Sequence, residues 1–268
     1  MTDTRPNVNY GNREVALANE ILRSVVGSGL HGIAIAGTDD HDEMGVYIEP
    51  RDHVVGLLGK LDNHVWRTQP EGVRSGPGDV DLVMYSLRRY LVLAAKGNPT
   101  ALLPLFAPLT DVLVLTEAGA TLRGRRSEFL SQEAVARFLG YLHEQRQRML
   151  GVAGSGVGRA PNRPELVAAF GWDVKYGSHA LRLAYQGREV AFAGTLTLPL
   201  PEVQRSRVLA VKRGEVPRDE VAAEIVAVEA EIRGLLDAGR CDLRPTVDLR
   251  ALSALSVDLH ERHWATAA

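Results

Sequence analysis

Asp40 and Asp42 stand two residues apart, just ahead of the apolar run Val46-Tyr47-Ile48 and a dozen residues after the turn Gly27-Ser28. If that run is a strand that begins near Asp40, its period of two places both carboxylates on one face and turns Asp39, His41 and Glu43 away. Two carboxylates so placed can share divalent cations. Gly27 and Ser28 follow the apolar pair Val25-Val26. Glycine lets a backbone come close to a ligand, so N–H groups of this turn and the Ser28 hydroxyl can meet phosphate oxygens. The pairing of an anion cradle with a metal clamp points to metal-assisted chemistry on a nucleotide.

Three other readings compete for the same stretch. Gly27, Gly29 and Gly32 spell G-x-G-x-x-G, and Glu49 lies near the offset of a ribose-binding acid. A dinucleotide-binding turn opens a long helix, however, and Gly37 with its acidic cluster leaves about one helical turn. A calcium loop starting at Asp40 would carry Met44 at its fifth position and Arg51 where the closing Glu belongs. The third reading is a solvated acidic turn, the usual fate of an Asp/Glu run, and spacing alone does not separate it from a metal site. A third carboxylate would. Asp81, in Gly78-Asp79-Val80-Asp81-Leu82-Val83-Met84-Tyr85, enters a strand-like run and is the candidate, with a plain strand-entry polar residue as its alternative.

The elements that must position these groups follow from periodicity. Residues 13–24 read as a helix with Val15, Ala16, Ala18, Ile21 and Leu22 on its apolar face, so that Gly27 sits at an element junction. Strands near 44–48, 65–68 and 80–85 form a small mixed sheet, covered by helices at 86–96 and 100–106. A longer helix over 132–149 repeats Ala134, Val135, Phe138, Leu139, Leu142 and Met149 at helical spacing. Residues 151–164 are rich in glycine and proline and read as a linker or surface loop. Beyond it, 172–186, 201–213, 217–238 and 248–264 read as helices. The expectation is an α+β chain: a catalytic domain over 1–150, a linker over 151–164 and a helical domain over 165–268.

Gly27-Ser28, Gly32, Asp40-x-Asp42, Gly45-Val46-Tyr47, and Asp81 ahead of Tyr85-Ser86-Leu87-Arg88-Arg89 together resemble the motifs of the DNA-polymerase-β-type nucleotidyltransferase superfamily. The branch they are most similar to is that of bacterial and phage nucleotidyltransferases associated with RNA repair. The likeness continues through Lys96-Gly97-Asn98-Pro99-Thr100, Phe129-Leu130-Ser131, Gly171-Trp172-Asp173-Val174-Lys175-Tyr176 with His179 and Arg182, and Leu198-Pro199-Leu200-Pro201. The chain departs from the branch at Leu30-His31-Gly32 and at Tyr176. The resemblance implies a polymerase-β-like core followed by a helical domain that closes over the nucleotide. It also implies transfer of a nucleoside monophosphate from an NTP such as ATP to a hydroxyl, with RNA as the favoured acceptor; a small molecule or protein side chain as acceptor, or a catalytically silent nucleotide- or RNA-binding module, are the alternatives. In that reading Asp40, Asp42 and Asp81 are catalytic and hold two Mg²⁺ ions, replaceable by Mn²⁺, and Gly27 and Ser28 bind the nucleotide. Lys175, His179 and Arg182 share one helix face by spacing, which alone favours a solvated face. The resemblance makes them nucleotide-binding.

The formal net charge of −2 gives no global attraction to nucleic acid, so any RNA contact must come from local clusters. Arg123, Arg125, Arg126, Arg146 and Arg148 are candidates for an acceptor patch, with ordinary solvated arginines as the alternative. His31 and His41 flank the motif but suit an oxygen-loving cation poorly. A single cysteine, Cys241, excludes an internal disulfide. Neither an apolar signal core near the first residues nor a membrane-length apolar run is present, and a cytoplasmic location without an obligate protein partner is expected.

Overall fold

In the computed structural model, residues 7–37, 39–151 and 163–267 are described, and they divide into two compact units: Met1–Phe129 with Val247–Ala268, and Leu130–Thr246. The first unit contains β1 (Asn7–Tyr10), α1 (Arg13–Ala18), β2 (Glu20–Val25), α2 (Gly27–Leu30), β3 (His41–Tyr47) and α3 (Arg51–Val54). It continues with β4 (Asn63–Pro70), β5 (Val80–Ser86), α4 (Leu87–Ala95), α5 (Pro99–Phe106), β6 (Val112–Leu115) and α6 (Glu117–Gly124). The strands form one mixed sheet in the order β1-β4-β5-β3-β2-β6. Among the described residues of this sheet only β3 and β5 run parallel. The α+β class expected from the sequence is the class observed.

The helix expected over 13–24 breaks in two. Asn12 caps α1 by accepting from Val15 N at 3.0 Å, and after Asn19 the chain becomes β2. Ile21 and Leu22 are both fully buried, and β2 is hydrogen-bonded on both sides, to β3 and to β6. An interior strand covered on both faces loses the alternation that would identify it, and its apolar pair then reads as one more turn of the preceding helix. The short edge strands β1 and β6 carry no distinctive pattern and were not anticipated.

On one face of the sheet Tyr47, Leu82 and Met84 pack with Ala16 of α1, and Trp66 joins from β4 beneath the Arg13 guanidinium. The C-terminal helix α12 (Leu249–Ala267) belongs to this first unit. Its Trp264 donates to the Glu49 carbonyl at 2.8 Å, and its His260 meets the Glu49 carboxylate at 3.2 Å.

The regular elements of the second unit's described residues are all helices: α7 (Gln132–Met149), α8 (Pro164–Phe170), α9 (Val174–Ala193), α10 (Glu202–Lys212) and α11 (Arg218–Asp237). The α7 face expected from periodicity is the face buried, with Ala134, Val135, Phe138 and Leu142 at or near zero exposure. It lies close against α9, because a Cβ at Gly187 would press on Phe138. The division expected at 151–164 therefore differs from the division observed. α7 packs with α9, which follows it, and α12 returns to the first unit, against α4 and α6. Linker residues 152–162 lie outside the described residues.

Candidate active site

β3 and β5 are in parallel register with Asp42 opposite Asp81, and Asp40 lies two residues before Asp42 on the same face. The consequence is convergence: one carboxylate oxygen from each of Asp40, Asp42 and Asp81 lies within 4.8 Å of the other two. All three side chains are half-buried at the polar end of strands whose remaining length is mostly core. The opposite face of β3 confirms the alternation. There Glu43 pairs with Arg23 at 2.9 Å and with His41 at 3.0 Å, and Arg23 also meets Glu20 at 2.9 Å. Burial raises the Glu20 carboxyl above its ordinary range.

Gly27 closes on the same group. Its φ is +65°, and a Cβ there would run into Asp42 Oδ2. Val26 N donates to the Asp42 carbonyl at 2.9 Å, so the backbone fixes the turn against the strand. Only glycine fits this combination of left-handed backbone and close approach. Ser28 follows at the start of the short helix α2, half-buried, and its carbonyl accepts from Ile33 N at 3.0 Å. Gly27 thus stands against the Asp42 carboxylate, with Ser28 next to it in the chain.

Asp81 is held from β4 and the loop after it. Gln69 Nε2 donates to Asp81 Oδ1 at 2.8 Å, Ser75 Oγ donates to Oδ2 at 3.1 Å, and Arg67 Nε lies 3.5 Å from Oδ2. Gln69 Nε2 also donates to Ser75 Oγ at 2.6 Å. Arg67 and Gln69 were not singled out in the sequence. Their signal is the alternation Arg67-x-Gln69, which gains meaning only once β4 is paired with β5 and Arg67 stands opposite Asp81. Asp79 has a different task. Its carboxylate accepts from Gly76 N and Thr68 Oγ1, and these bonds, the backbone one first, lower its pKa. It ties down the loop that leads into β5.

Three carboxylates around a common centre, with no side chain on the adjoining glycine, are a donor set suited to a hard, oxygen-seeking divalent cation. His31 is buried and His41 is committed to Glu43, so neither adds a nitrogen ligand.

In the second unit, Asp173 caps α9 by accepting from Lys175 N and Tyr176 N. Lys175, His179 and Arg182 follow along one face, and all three are half-buried rather than freely solvated. Arg182 donates to Gln186 Oε1 at 2.8 Å, and burial brings its pKa down to about 10. His179 is pushed well below its ordinary value, by burial first and then by the positive charges of Arg182, Lys175, Arg163 and Lys212. Arg163 and Lys212, which the sequence reading did not include, therefore belong to the same electropositive cluster. Arg163 also lies 5.0 Å from the Tyr176 ring centroid and 3.4 Å from Asp173.

The arginines considered as an acceptor patch are mostly engaged within the fold. Arg123 donates to the Pro104 carbonyl at 2.8 Å and to the Ala107 carbonyl at 2.5 Å. Arg125 grips Glu128 with two bonds of 2.7 Å. Arg146 pairs with Glu229 at 2.8 Å, and Arg148 lies over the Tyr176 ring. Arg126 and Arg148 are the exposed members, and Arg126 has a bond of 3.4 Å to the Arg123 carbonyl.

Comparison with curated protein sequences finds no match. A solved structure of a nucleotidyltransferase-like protein from Exiguobacterium sibiricum 255-15 aligns with 83% of this chain and 71% of its own, at 11% identity. The TM-score of that alignment is 0.32. The model of the RlaP family, the RNA repair pathway DNA polymerase beta family, matches residues 13–242, a span that takes in the Gly27 turn, the three carboxylates and α9. With the greater part of its length so matched, the chain belongs to the RNA repair pathway DNA polymerase beta family.

Proposed function

We propose that the protein transfers a nucleoside monophosphate from an NTP to a hydroxyl of an RNA acceptor and releases pyrophosphate. The observation that carries this reading is the convergence of Asp40, Asp42 and Asp81 beside a glycine turn that leaves no room for a side chain. Asp40, Asp42 and Asp81 would hold two Mg²⁺ ions, with Asp81 on the acceptor side. Bound there, the ions would neutralise charge on the attacking and leaving oxygens. Gly27 and Ser28 hold phosphate oxygens. Lys175 and Arg182 supply positive charge to the triphosphate, and His179, neutral in its cationic surroundings, donates a hydrogen bond without adding charge. In the reaction the acceptor oxygen bonds to the α-phosphorus as its proton passes to Asp81. The bond to the bridging oxygen breaks, and its electron pair leaves with pyrophosphate. RNA as acceptor and RNA repair as setting rest on the family's name.

The test is incorporation of label from each α-³²P NTP, with Mg²⁺ or Mn²⁺, into separate pools of RNA, protein and small metabolites. Label in RNA with stoichiometric pyrophosphate supports the proposal. Label confined to protein or metabolites would leave the transfer and remove the acceptor. No label in any pool, with NTP binding intact, would overturn the catalytic reading.

A further inference from the structure

At the far end of the β3–β5 pair the first unit opens a cavity. Glu49 lies seven residues beyond Asp42, which at strand spacing is about 23 Å away from the carboxylates, so the two sites are separate. This cavity, about 240 Å³, is lined by Glu49, His53, Lys60, Asp62, Arg88 and Arg89 among others. Lys60, Arg88 and Arg89 are exposed, and their side chains make no hydrogen bond or ion pair within the described residues. The neighbouring polar groups are more committed: Glu49 is buried against His260, and His53 Nδ1 is bonded to the Gly59 carbonyl. Asp62 is the remaining carboxylate. A second cavity of about 170 Å³ adjoins the first, sharing Arg88 and Val92, and its wall between α4 and α12 is almost wholly apolar, with Leu91, Ala95 and Leu252 at its centre.

Each half excludes a class of ligand. An inorganic anion would satisfy the three cations and leave the apolar slot wet, whereas a purely apolar ligand would leave the cations without a counter-charge. A nucleotide meets every group present. Its phosphate faces Lys60, Arg88 and Arg89, its ribose hydroxyls can donate to Asp62, and its flat base fits the slot between Leu91 and Leu252. We propose that this bipartite cavity is a second nucleotide site, distinct from the carboxylate site, for a phosphate-bearing nucleotide that is either free or the terminal residue of an RNA strand. Nothing in it requires a metal ion or turnover.

Its test does not depend on the transfer reaction. In the full-length Asp40→Asn/Asp42→Asn variant with EDTA present, binding of AMP, of inorganic phosphate, and of short RNA with or without a 5′-phosphate is measured by calorimetry. One site for AMP or for phosphorylated RNA is expected to remain, binding at least tenfold more tightly than inorganic phosphate. Arg88→Ala/Arg89→Ala should weaken it tenfold or more, and Arg88→Lys/Arg89→Lys should retain much of it. Ser253→Trp, an exposed change that fills the slot, should weaken nucleotide and leave inorganic phosphate unchanged. Comparison of AMP with phosphorylated RNA then identifies the source. Absence of nucleotide binding, equal affinity for inorganic phosphate, or indifference to Ser253→Trp would each overturn the site.

Discussion

Gly27 has the least freedom of any residue near the carboxylates, because its backbone is left-handed and the space a side chain needs is taken by Asp42. Gly27→Ala is expected to cost about 1–3 kcal/mol in stability and to displace the Asp42 carboxylate. Transfer should fall far more than urea denaturation shows stability to fall. Asp40→Asn and Asp42→Asn remove charge while keeping shape, and each should cut label transfer by about three orders of magnitude or more with an unchanged melting temperature. Wild-type-like turnover of either at saturating Mg²⁺ would refute the shared-cation role. Gln69 and Ser75 act through Asp81 and so position rather than react. Gln69→Ala should raise the Mg²⁺ concentration needed for half-maximal activity by about 10–100-fold, whereas the apparent KM for the NTP at saturating Mg²⁺ should move little.

At the scale of elements, charge on a helix face and charge at a helix end perform different work. Lys175 belongs to a cluster with His179, Arg182, Arg163 and Lys212, and like charges gathered at a half-buried surface are stabilised when an anion arrives. Lys175→Ala is expected to weaken NTP use about tenfold or more, whichever acceptor is supplied. Loss confined to the acceptor's KM would disprove the assignment. Arg123 instead serves the fold, crossing from α6 to the carbonyls of Pro104 and Ala107 at the end of α5, where no further turn of helix satisfies them. Arg123→Ala should therefore lower stability by about 1–3 kcal/mol, read by denaturant titration, without changing the salt dependence of RNA use.

Across the whole molecule, histidine burial sets the behaviour in mild acid. His64, His179 and His263 all have pKa values lowered by burial, and His64 Nε2 is buried without a partner. Between each lowered value and the ordinary 6.5 the unfolded chain binds the proton and the folded chain does not, so stability rises with pH through that window. Fluorescence-detected melting should show the melting temperature begin to fall as pH drops below about 6.5, ahead of carboxylate titration. His64→Gln should flatten that decline, and an unaltered decline would assign it to other groups.

The sequence by itself determined what local chemistry and short periods can carry. The i, i+2 spacing of Asp40 and Asp42 became a shared face because strand geometry leaves a chain no other choice, and the apolar repeat of α7 became its buried face for the equivalent helical reason. Glycine at position 27 announced a special backbone. Tertiary structure decided everything that depends on which strands lie side by side. Pairing of β3 with β5 brought Asp81 opposite Asp42, and pairing of β4 with β5 turned Arg67 and Gln69 into its partners. Burial on both faces made Glu20–Val25 a strand where its apolar pattern continued a helix. It also decided which arginines are available, since Arg123 and Arg146 find carbonyls or a carboxylate that spacing along the chain does not reveal. Those outcomes are set by contacts between residues far apart in sequence, and a one-dimensional pattern holds no record of them until the sheet is formed.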